Sequence, residues 1–522
     1  MAHNAKNIYE WIHHVKKQFI MDVCKDPMYP QPNPSQPFSH GEPSLRDVEH
    51  TQSGQSDREP VSFAIIGSGM TGCSVAHAML KHNFFRNDNI LILEAGALAS
   101  GATGCSVGQV TTLNAKDWGE IAEVYGKRKA TEVAWFSQRN LDRLREVVES
   151  QCPEVQRMAD FKRVTTITNF NSDQVWDQYS QFDATFQQYC PQLGGRLAMR
   201  DASYVKSTYR FTDSYGAVES PGATFRPGKL VAGIFAQLLS DHGDRFAIET
   251  HTPVESIQYT TRTTYPFNLA TNRGTFHAGF VIYCMNGWTS HLLPNLRSEI
   301  FPFWNIMSEQ ALTPPPPDES ALYTWKMIDV PRVDFRSGLV TPGQYSLTQD
   351  TESGNFRFGG ERQTLSAFLP TNNVNSFLLT YQNQEYMMPR LFKQPEERLE
   401  DWVQLEKPAA VYDPFAAEPT DGFYNARSER KLSGIIGHTP DLFPFVGQLP
   451  PFWGHQHDNR EWIAAGCNGT GLDKCWLMGE ELVALIAGED MSPRIPACFR
   501  ITDERLNNLM PSDFLRRWLK AG

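Results

Sequence analysis

Long apolar runs are missing from this 522-residue chain: none reaches the ~18 residues that a membrane-crossing helix needs. Strongly basic tracts are missing too. The net charge is −11 at pH 7, so the cation clusters that neutralise nucleic-acid phosphates are not expected, and neither nucleic acid nor membrane is expected as a partner. Cysteine is sparse and scattered. The nine residues Cys24, Cys73, Cys105, Cys152, Cys190, Cys284, Cys467, Cys475 and Cys498 include no C-x-x-C pair. That argues against structural zinc, and the odd count argues against a disulfide framework, so reduced thiols, no metal site and a cytoplasmic location are expected. The N-terminal stretch MAHNAKNIYEWIHHVKKQF breaks its apolar positions with His and Lys, so it lacks a signal-peptide core, and the terminal WLKAG is not a peroxisomal address.

What is present suits a soluble globular protein. Hydrophobic residues make up 40% and charged residues 20%, enough for a substantial core in two domains or one two-lobed body. The informative stretch is Ser62 to Gly104. An apolar run, Phe63 to Ile66, reads as a buried parallel strand. Gly67-Ser68-Gly69-Met70-Thr71-Gly72 follows as a full G-x-G-x-x-G. Val75, Ala76, Met79 and Leu80 then recur at helical spacing, and a second apolar run, Ile90 to Leu93, delivers Glu94 and Ala95. In such a βαβ unit the first glycine makes the turn, the second lets a pyrophosphate approach the backbone, and the third lets the helix pack on the strand. The helix N-terminus faces the phosphates with free N–H groups. Glu94 suits a ribose diol and would repel a 2′-phosphate, which leaves FAD and NAD as candidates and disfavours NADP.

Along the rest of the chain, residues 1–60 read as an N-terminal helix, Asn7 to Val23, followed by an irregular arm. The small-residue loop Leu98 to Val110 leaves the ligand-binding edge of the sheet. Glu120 to Cys152 reads as one long helix, Phe161 to Asn169 as a strand, and Asp173 to Tyr189 as a helix. A helix over Gly228 to His242 precedes a strand pair over Phe246 to Tyr259. Phe280 to Met285 is an apolar strand ending in Asn286-Gly287-Trp288. Trp304 to Ala311 and Phe335 to Gln363 alternate as antiparallel strands do, and Leu378 to Phe392 has a helical pattern. Trp462 to Gly488 reads as strand, glycine-rich turn and amphipathic helix, with a second anion or dipole site near Gly471 to Asp473.

Taken together, the GSGMTG turn, Glu94, SGATG at Ser100 to Gly104, TPVESI, the NGW turn, GHTPDLFPFVG at Gly437 to Gly447 and GCNGTGLDKCWLMGEELV resemble the FAD-dependent D-amino-acid oxidase family, which includes glycine, sarcosine and fructosyl-amine oxidases. The resemblance implies an α/β protein: a Rossmann-like FAD-binding domain with a second α+β substrate domain carrying a mixed or antiparallel sheet. It divides the chain into an arm at 1–60, a discontinuous FAD-binding domain at 61–118, 215–290 and 431–490, a substrate domain at 119–214 and 291–430, and a C-terminal extension at 491–522. It implies that Gly67, Ser68, Gly69, Met70, Thr71 and Gly72 hold the pyrophosphate, and that Glu94 and Ala95 meet the adenosine ribose. Ser100, Gly101, Ala102 and Thr103 would pass near the phosphates or flavin, and Val254 would meet adenine through its backbone. Asn286, Gly287 and Gly469, Thr470, Gly471 and Leu472 would lie at the flavin end.

The chain departs from the family pattern in places. Cys105 and Gln109 occupy positions where relatives carry Arg and His. Sarcosine-oxidase-like members attach flavin through a Cys whose place here is Gly434, so FAD is expected to bind non-covalently. The reaction implied is oxidation of a C–N bond in an amine or amino-acid-like small molecule by hydride transfer to flavin N5, with O2 as reoxidant. The candidate catalytic residues are His438, Arg362 and Gln109. Each has a plainer reading: a backbone-bonded histidine, an arginine paired with Glu361, and a generic polar contact. Two further functions stay open: dehydrogenation of a non-amine secondary-metabolite intermediate, and FAD binding without catalysis. The oligomeric state is left open.

Overall fold

The computed structural model describes residues 17–30 without 18, 48–52 without 49, 59–313 without 210, 212 and 262, 322–364 without 331, 335–338, 342, 351–352 and 361–362, 425–489 without 456–458, and 494–513. Its strands in chain order are β1 (Val61–Ile66), β2 (Ile90–Leu93), β3 (Gln109–Thr111), β4 (Lys162–Phe170), β5 (Ala198–Asp201), β6 (Gly216–Thr224), β7 (Phe246–Glu249), β8 (Val254–Tyr259), β9 (Phe267–Thr271) and β10 (Gly274–Tyr283). They continue as β11 (Phe301–Thr313), β12 (Tyr323–Ile328), β13 (Arg332–Asp334), β14 (Leu339–Thr341), β15 (Gln344–Gln349), β16 (Phe356–Gly359), β17 (Gln363–Thr364), β18 (Asn425–His438), β19 (Phe445–Gln448) and β20 (Glu461–Ala465). The helices that matter for the site are α1 (Met70–Lys81), α2 (Ala115–Tyr125), α3 (Lys127–Glu149), α4 (Asp173–Tyr189), α5 (Pro227–His242) and α6 (Cys475–Ile486).

The first sheet runs β19-β20-β10-β1-β2-β7. β1 is apolar because it is parallel to both neighbours, β10 and β2, and buried on both faces. Helices α1, α5 and α6 cover one face with a single hydrophobic cluster that includes Met79, Phe235, Trp476 and Leu482. Contact between α1 and α6 is close because Gly479 has no side chain: a Cβ there would stand 2.6 Å from Ser74 Oγ. The second cluster, with Phe267, Phe276, Tyr283 and Phe445, fills the other face. The expected strand pair over Phe246 to Tyr259 separates: β7 pairs with β2, whereas β8 pairs with β9, which in turn pairs with β10.

The second sheet runs β18-β11-β16-β15-β12-β4-β6-β3, with β5 beside β6. Most pairings are antiparallel, and β12 with β4 is parallel. This is the mixed sheet expected for the second lobe. Three segments ascribed to the nucleotide lobe lie in it: β3, β6 and the 431–438 part of β18.

The single helix expected over Glu120 to Cys152 is two, α2 and α3, because Gly126 breaks it at φ +87°. The strand expected at Phe161 to Asn169 and the helix at Asp173 to Tyr189 are β4 and α4. The helical pattern at Leu378 to Phe392 lies outside the described residues, as does most of the N-terminal helix. Its end is described and docks on the body. Phe19 is buried edge-on against Phe301 with ring centroids 5.5 Å apart, and Asp26 accepts from Arg297 Nη2 at 2.6 Å. Further on, Thr51 O accepts from both Thr250 N and Thr250 Oγ1. Among the described residues, no helix is long and apolar enough to cross a membrane.

Candidate active site

The turn between β1 and α1 is built as its glycines require. Gly67 sits at φ +105°, and a Cβ on it would meet Cys284 O at 2.7 Å. A Cβ on Gly72 would stand 2.0 Å from Gly67 O, so the helix can lie on the turn only if residue 72 is glycine. Gly69 caps α1 without any side-chain cap bond, and no acid occupies the first helical turn. No carboxylate of α1's own first turn therefore offsets the partial positive charge of its N-terminus.

Glu94 closes the other side of this turn. Its Oε2 accepts from Ser68 N at 2.9 Å and Ser68 Oγ at 2.7 Å, and its Oε1 accepts from Gly96 N at 2.8 Å. A carboxylate has about four lone-pair positions, so Oε1 keeps capacity for a ribose hydroxyl. Ser68 is fully buried and also accepts from Ala99 N at 2.9 Å, which ties turn, acid and following loop together. The G-x-G-x-x-G pattern leaves position 68 open, so this latch was not readable from it. Thr252 N donates to Glu94 O and His251 N to Gly96 O, which ties the residues leading into β8, whose first residue Val254 lies at a register shift, to the Glu94–Gly96 segment. The Ser100 to Thr103 loop reaches the same turn. Thr103 Oγ1 accepts from Met70 N at 3.0 Å and lies 3.1 Å from where a Gly69 Cβ would be.

Three distant segments meet at the opposite end. Asn286, at φ +50°, accepts on Oδ1 from Gly466 N and Cys467 N, each at 3.1 Å. Gly287 packs so closely on β18 that a Cβ on Gly437 would meet Gly287 N at 2.6 Å. Asn468 N donates to Gly437 O at 2.8 Å, and Asn468 Oδ1 accepts from Thr439 N at 2.9 Å. The NGW, GHT and GCNGTG blocks thus form one knot, which holds the Gly469, Thr470, Gly471 and Leu472 turn at the start of α6. Asn140, fully buried on α3, braces that turn from below: it donates to Leu472 O and accepts from Leu477 N. No motif marks Asn140; a buried Asn in an apolar helix face is the one signal that could have found it.

Two of the three expected catalytic residues, His438 and Gln109, lie among the described residues, on β18 and β3. His438 ends β18, with ring contacts to Phe301 and Phe303 at centroid distances of 6.5 and 5.0 Å. Burial lowers its imidazole to about 4, against a smaller opposing effect of a hydrogen bond with Asn468. It is therefore uncharged at neutral pH. Gln109 starts β3, and its amide nitrogen donates to Thr324 Oγ1 at 2.6 Å and Trp325 O at 3.0 Å. Arg362 lies outside the described residues. Cys105 is buried against Met307 and Val107, its Cβ 3.3 Å from where a Cβ on Gly434 would lie, and burial pushes its thiol up to about 12. Beside the 469–472 turn, Lys474 Nζ donates to Thr470 O at 2.8 Å and pairs with Asp473 Oδ1 at 2.7 Å. Burial raises the Asp473 carboxyl while that lysine pulls it down. Among the described residues, no group of three or more His, Cys, Asp or Glu could hold a metal ion.

The FAD dependent oxidoreductase (DAO) family profile matches residues 62–485. The chain belongs to this family. The helix N-terminus without an acid in its first turn, the room left by Gly69 and the lone-pair capacity of Glu94 fit the cofactor of this family. Solved structures share the family fold at low identity. Glycine oxidase from Geobacillus kaustophilus superposes with a TM-score of 0.56 at 15% identity, over 85% of this chain and 99% of its own. L-proline dehydrogenase from P. horikoshii does so with 0.56 at 16%, over 85% and 98%. NikD, an unusual amino acid oxidase essential for nikkomycin biosynthesis, does so with 0.54 at 14%, over 84% and 98%. No curated protein matches the sequence. The DAO assignment makes this chain an FAD-dependent oxidoreductase.

Proposed function

We propose that the chain oxidises a C–N bond of an amine or amino-acid-like small molecule, and that O2 takes the electrons afterwards. The observation that carries the reading is the knot of Asn286, Gly437 and Asn468, which fixes a glycine turn where the two sheets adjoin. One side of that place is the nucleotide sheet, and the other is the end of β18 with β3 and β11. The solved structures named above act on glycine, L-proline and amino acids, which supports an amine substrate.

In this reading the residues from Gly67 to Gly72 and the α1 N-terminus hold the pyrophosphate, and Glu94 and Ala95 the ribose. Val254 meets the adenine. Ser100, Gly101, Ala102 and Thr103 run past the phosphates, and Asn286, Gly287 and the turn from Gly469 to Leu472 hold the flavin end. When bound, FAD would supply the two-electron acceptor, with N5 as the hydride-accepting position. The chain's task is then orientation and exclusion of water. Gln109 spends its amide hydrogens on Thr324 and Trp325, so its carbonyl oxygen is the atom it can offer a substrate N–H. His438, uncharged and held by Asn468, acts as a positioning residue for the 466–472 turn. Arg362 stays a candidate for a substrate carboxylate. The cofactor is non-covalent: position 434 has no side chain, and the Cys105 thiol facing it is too high in pKa to be an ambient thiolate.

The test is anaerobic mixing of the purified holoprotein with a chemically diverse amine and amino-acid panel, followed by admission of air and peroxide measurement. At least one amine should bleach the flavin, and air should restore it with peroxide formed. Bleaching by non-amine substrates alone would replace the C–N assignment with a different dehydrogenation. Bleaching that air does not reverse would remove O2 as the acceptor. No bleaching by any compound would leave a cofactor-binding protein without catalysis. Acid precipitation should release the yellow chromophore into the supernatant; a coloured pellet would overturn non-covalent binding.

A further inference from the structure

Two of the nine scattered cysteines meet. Cys467 follows β20 and Cys475 opens α6, and both are buried with their sulfurs 3.5 Å apart. A disulfide needs about 2.05 Å between sulfurs, so the approach left is short. Gly471, midway along the intervening turn, makes the meeting possible: a Cβ there would stand 2.9 Å from Cys475 Sγ and 3.4 Å from Cys467 Cβ. The residues enclosed, 468–474, are those of the glycine turn held by Asn286, Gly437 and Asn140.

We propose that Cys467 and Cys475 are a reversible dithiol, a modification site that a peroxide closes into a disulfide across the turn at the start of α6. The reaction balances without further reactants. The Cys475 sulfur, as thiolate, attacks the peroxide O–O bond and takes one oxygen as a sulfenic acid; the leaving oxygen takes up the proton that the thiol gave up and departs as an alcohol, or as water from hydrogen peroxide. Cys467 sulfur then attacks Cys475 sulfur, the S–O bond breaks, and water leaves with the Cys467 proton. Two electrons pass from the sulfurs to the peroxide.

The surroundings assign the roles. Cys475 stands at the N-terminus of a twelve-residue helix, where thiolates are stabilised. Its thiol is held below the ordinary value, first by the hydrogen bond with Cys467 and then by the Thr71 hydroxyl and the Lys474 ammonium, against the effect of burial. Cys467 is pushed the other way by the same hydrogen bond and by burial. Attack by Cys475 and resolution by Cys467 follow. Cys284, at the end of β10, is a near neighbour whose thiol burial raises, with Cys475 adding to the effect. It is the internal control for selectivity.

The consequence rests on the flavin-end placement of the turn proposed above: the bridge would fix the turn closed and slow FAD exchange. The dithiol chemistry itself does not rest on it. The purified full chain is treated with hydrogen peroxide, digested without reductant and mapped by mass spectrometry. The expected product is one peptide pair joining Cys467 to Cys475, with two fewer titratable thiols, restored by dithiothreitol. Cys467→Ser and Cys475→Ser should abolish it, and Cys284→Ser should retain it. Gly471→Ala, which puts a methyl beside both sulfurs, should slow bridging several-fold in a chain with both cysteines intact. A sulfinic acid at Cys475, or a bridge to Cys284, overturns the dithiol. Where the serine variants fail to fold, mapping of the unaltered chain decides alone. FAD release into a flavin scavenger should slow at least about fivefold in the oxidised form; an unchanged release rate overturns the clamp. Failure of every amine to reduce the flavin would touch neither readout.

Discussion

At the scale of single residues, the nucleotide turn is the most constrained part of the molecule. Gly72→Ala would drive a methyl into Gly67 O, backbone that cannot move aside. Purified variant should carry about tenfold less flavin per protein by absorbance, since the third glycine of such turns sets helix–strand contact. Ser68→Ala is subtler. It removes a donor to Glu94 and the acceptor of Ala99 N, so the FAD Kd should rise about tenfold, the ~1.4 kcal/mol expected of a hydrogen bond to a charged group. Titration of apoprotein with FAD checks it. Glycines 67, 69 and 72 and Glu94 were legible in the sequence because their requirement is local: backbone proximity and one acid at a fixed step. Ser68 and Asn140 were not, since their partners lie 26 and 332 or more residues away.

Among the elements, strands and helices with a strong period were legible, and their joints were not. α4 runs Asp173–Tyr189 as its pattern foretold, because Ser172 caps its start and apolar residues mark one face. The α2–α3 break is not marked in the sequence pattern, because the apolar period continues across Gly126. Its φ of +87° is what ends α2. Gly126→Ala meets no atom within 4 Å, so its cost is conformational. It should destabilise by about 1–3 kcal/mol in chemical unfolding, the penalty for a side chain at a φ of 87° and ψ of 151°, a conformation that is essentially glycine-only. β7 and β8 were read as partners because they adjoin in sequence; pairing is decided by which edges the sheet leaves available, and β2 and β9 take them. In the knot linking β10, β18 and β20, the Asn286 side chain is the tie between β10 and the residues after β20. Asn286→Ala deletes the acceptor for two backbone N–H groups. A loss of about 2–3 kcal/mol in unfolding free energy and faster FAD release are expected, because both donors stay without their partner.

For the whole molecule, buried charge sets the pH response. Asp350, at the end of β15, pairs with Arg226 Nη2 at 3.0 Å and Arg357 Nη2 at 2.6 Å, joining the entry of α5 to the second sheet. These arginines hold its carboxyl near 2 despite burial. Its folded value lies below its unfolded one, so its stabilisation is complete above about pH 4 and is lost as pH falls towards 2. Asp350→Asn should cost about 3–5 kcal/mol at pH 7, read by denaturant unfolding, because two half-compensated guanidiniums remain buried. Glu299 and Glu481 act oppositely. Burial raises each to about 7, so each binds a proton on folding and loses stability as pH rises from about 4.5 through 7. Glu299→Gln should therefore raise Tm at pH 8 and leave it nearly unchanged at pH 4.5, measured by a pH series of thermal melts. At this scale the sequence disclosed two lobes through family likeness. It did not disclose how they interleave, because β3, β6 and the end of β18 carry no mark that tells one sheet from the other.

That interleaving bears on how the chain is made. One edge of β10 is covered by β20, and the exposed flank of α1 by α6, yet both covers come from residues 461–486. A ribosome delivering about 5–20 residues per second releases them roughly twenty to eighty seconds after β1. Until then the nascent chain carries a finished phosphate turn on an unfinished sheet, with an apolar strand edge bare to other nascent chains. The turn proposed for the flavin end arrives with residues 461–486, so full cofactor capture is expected only after they emerge, and yield during overproduction should depend on protection of that edge.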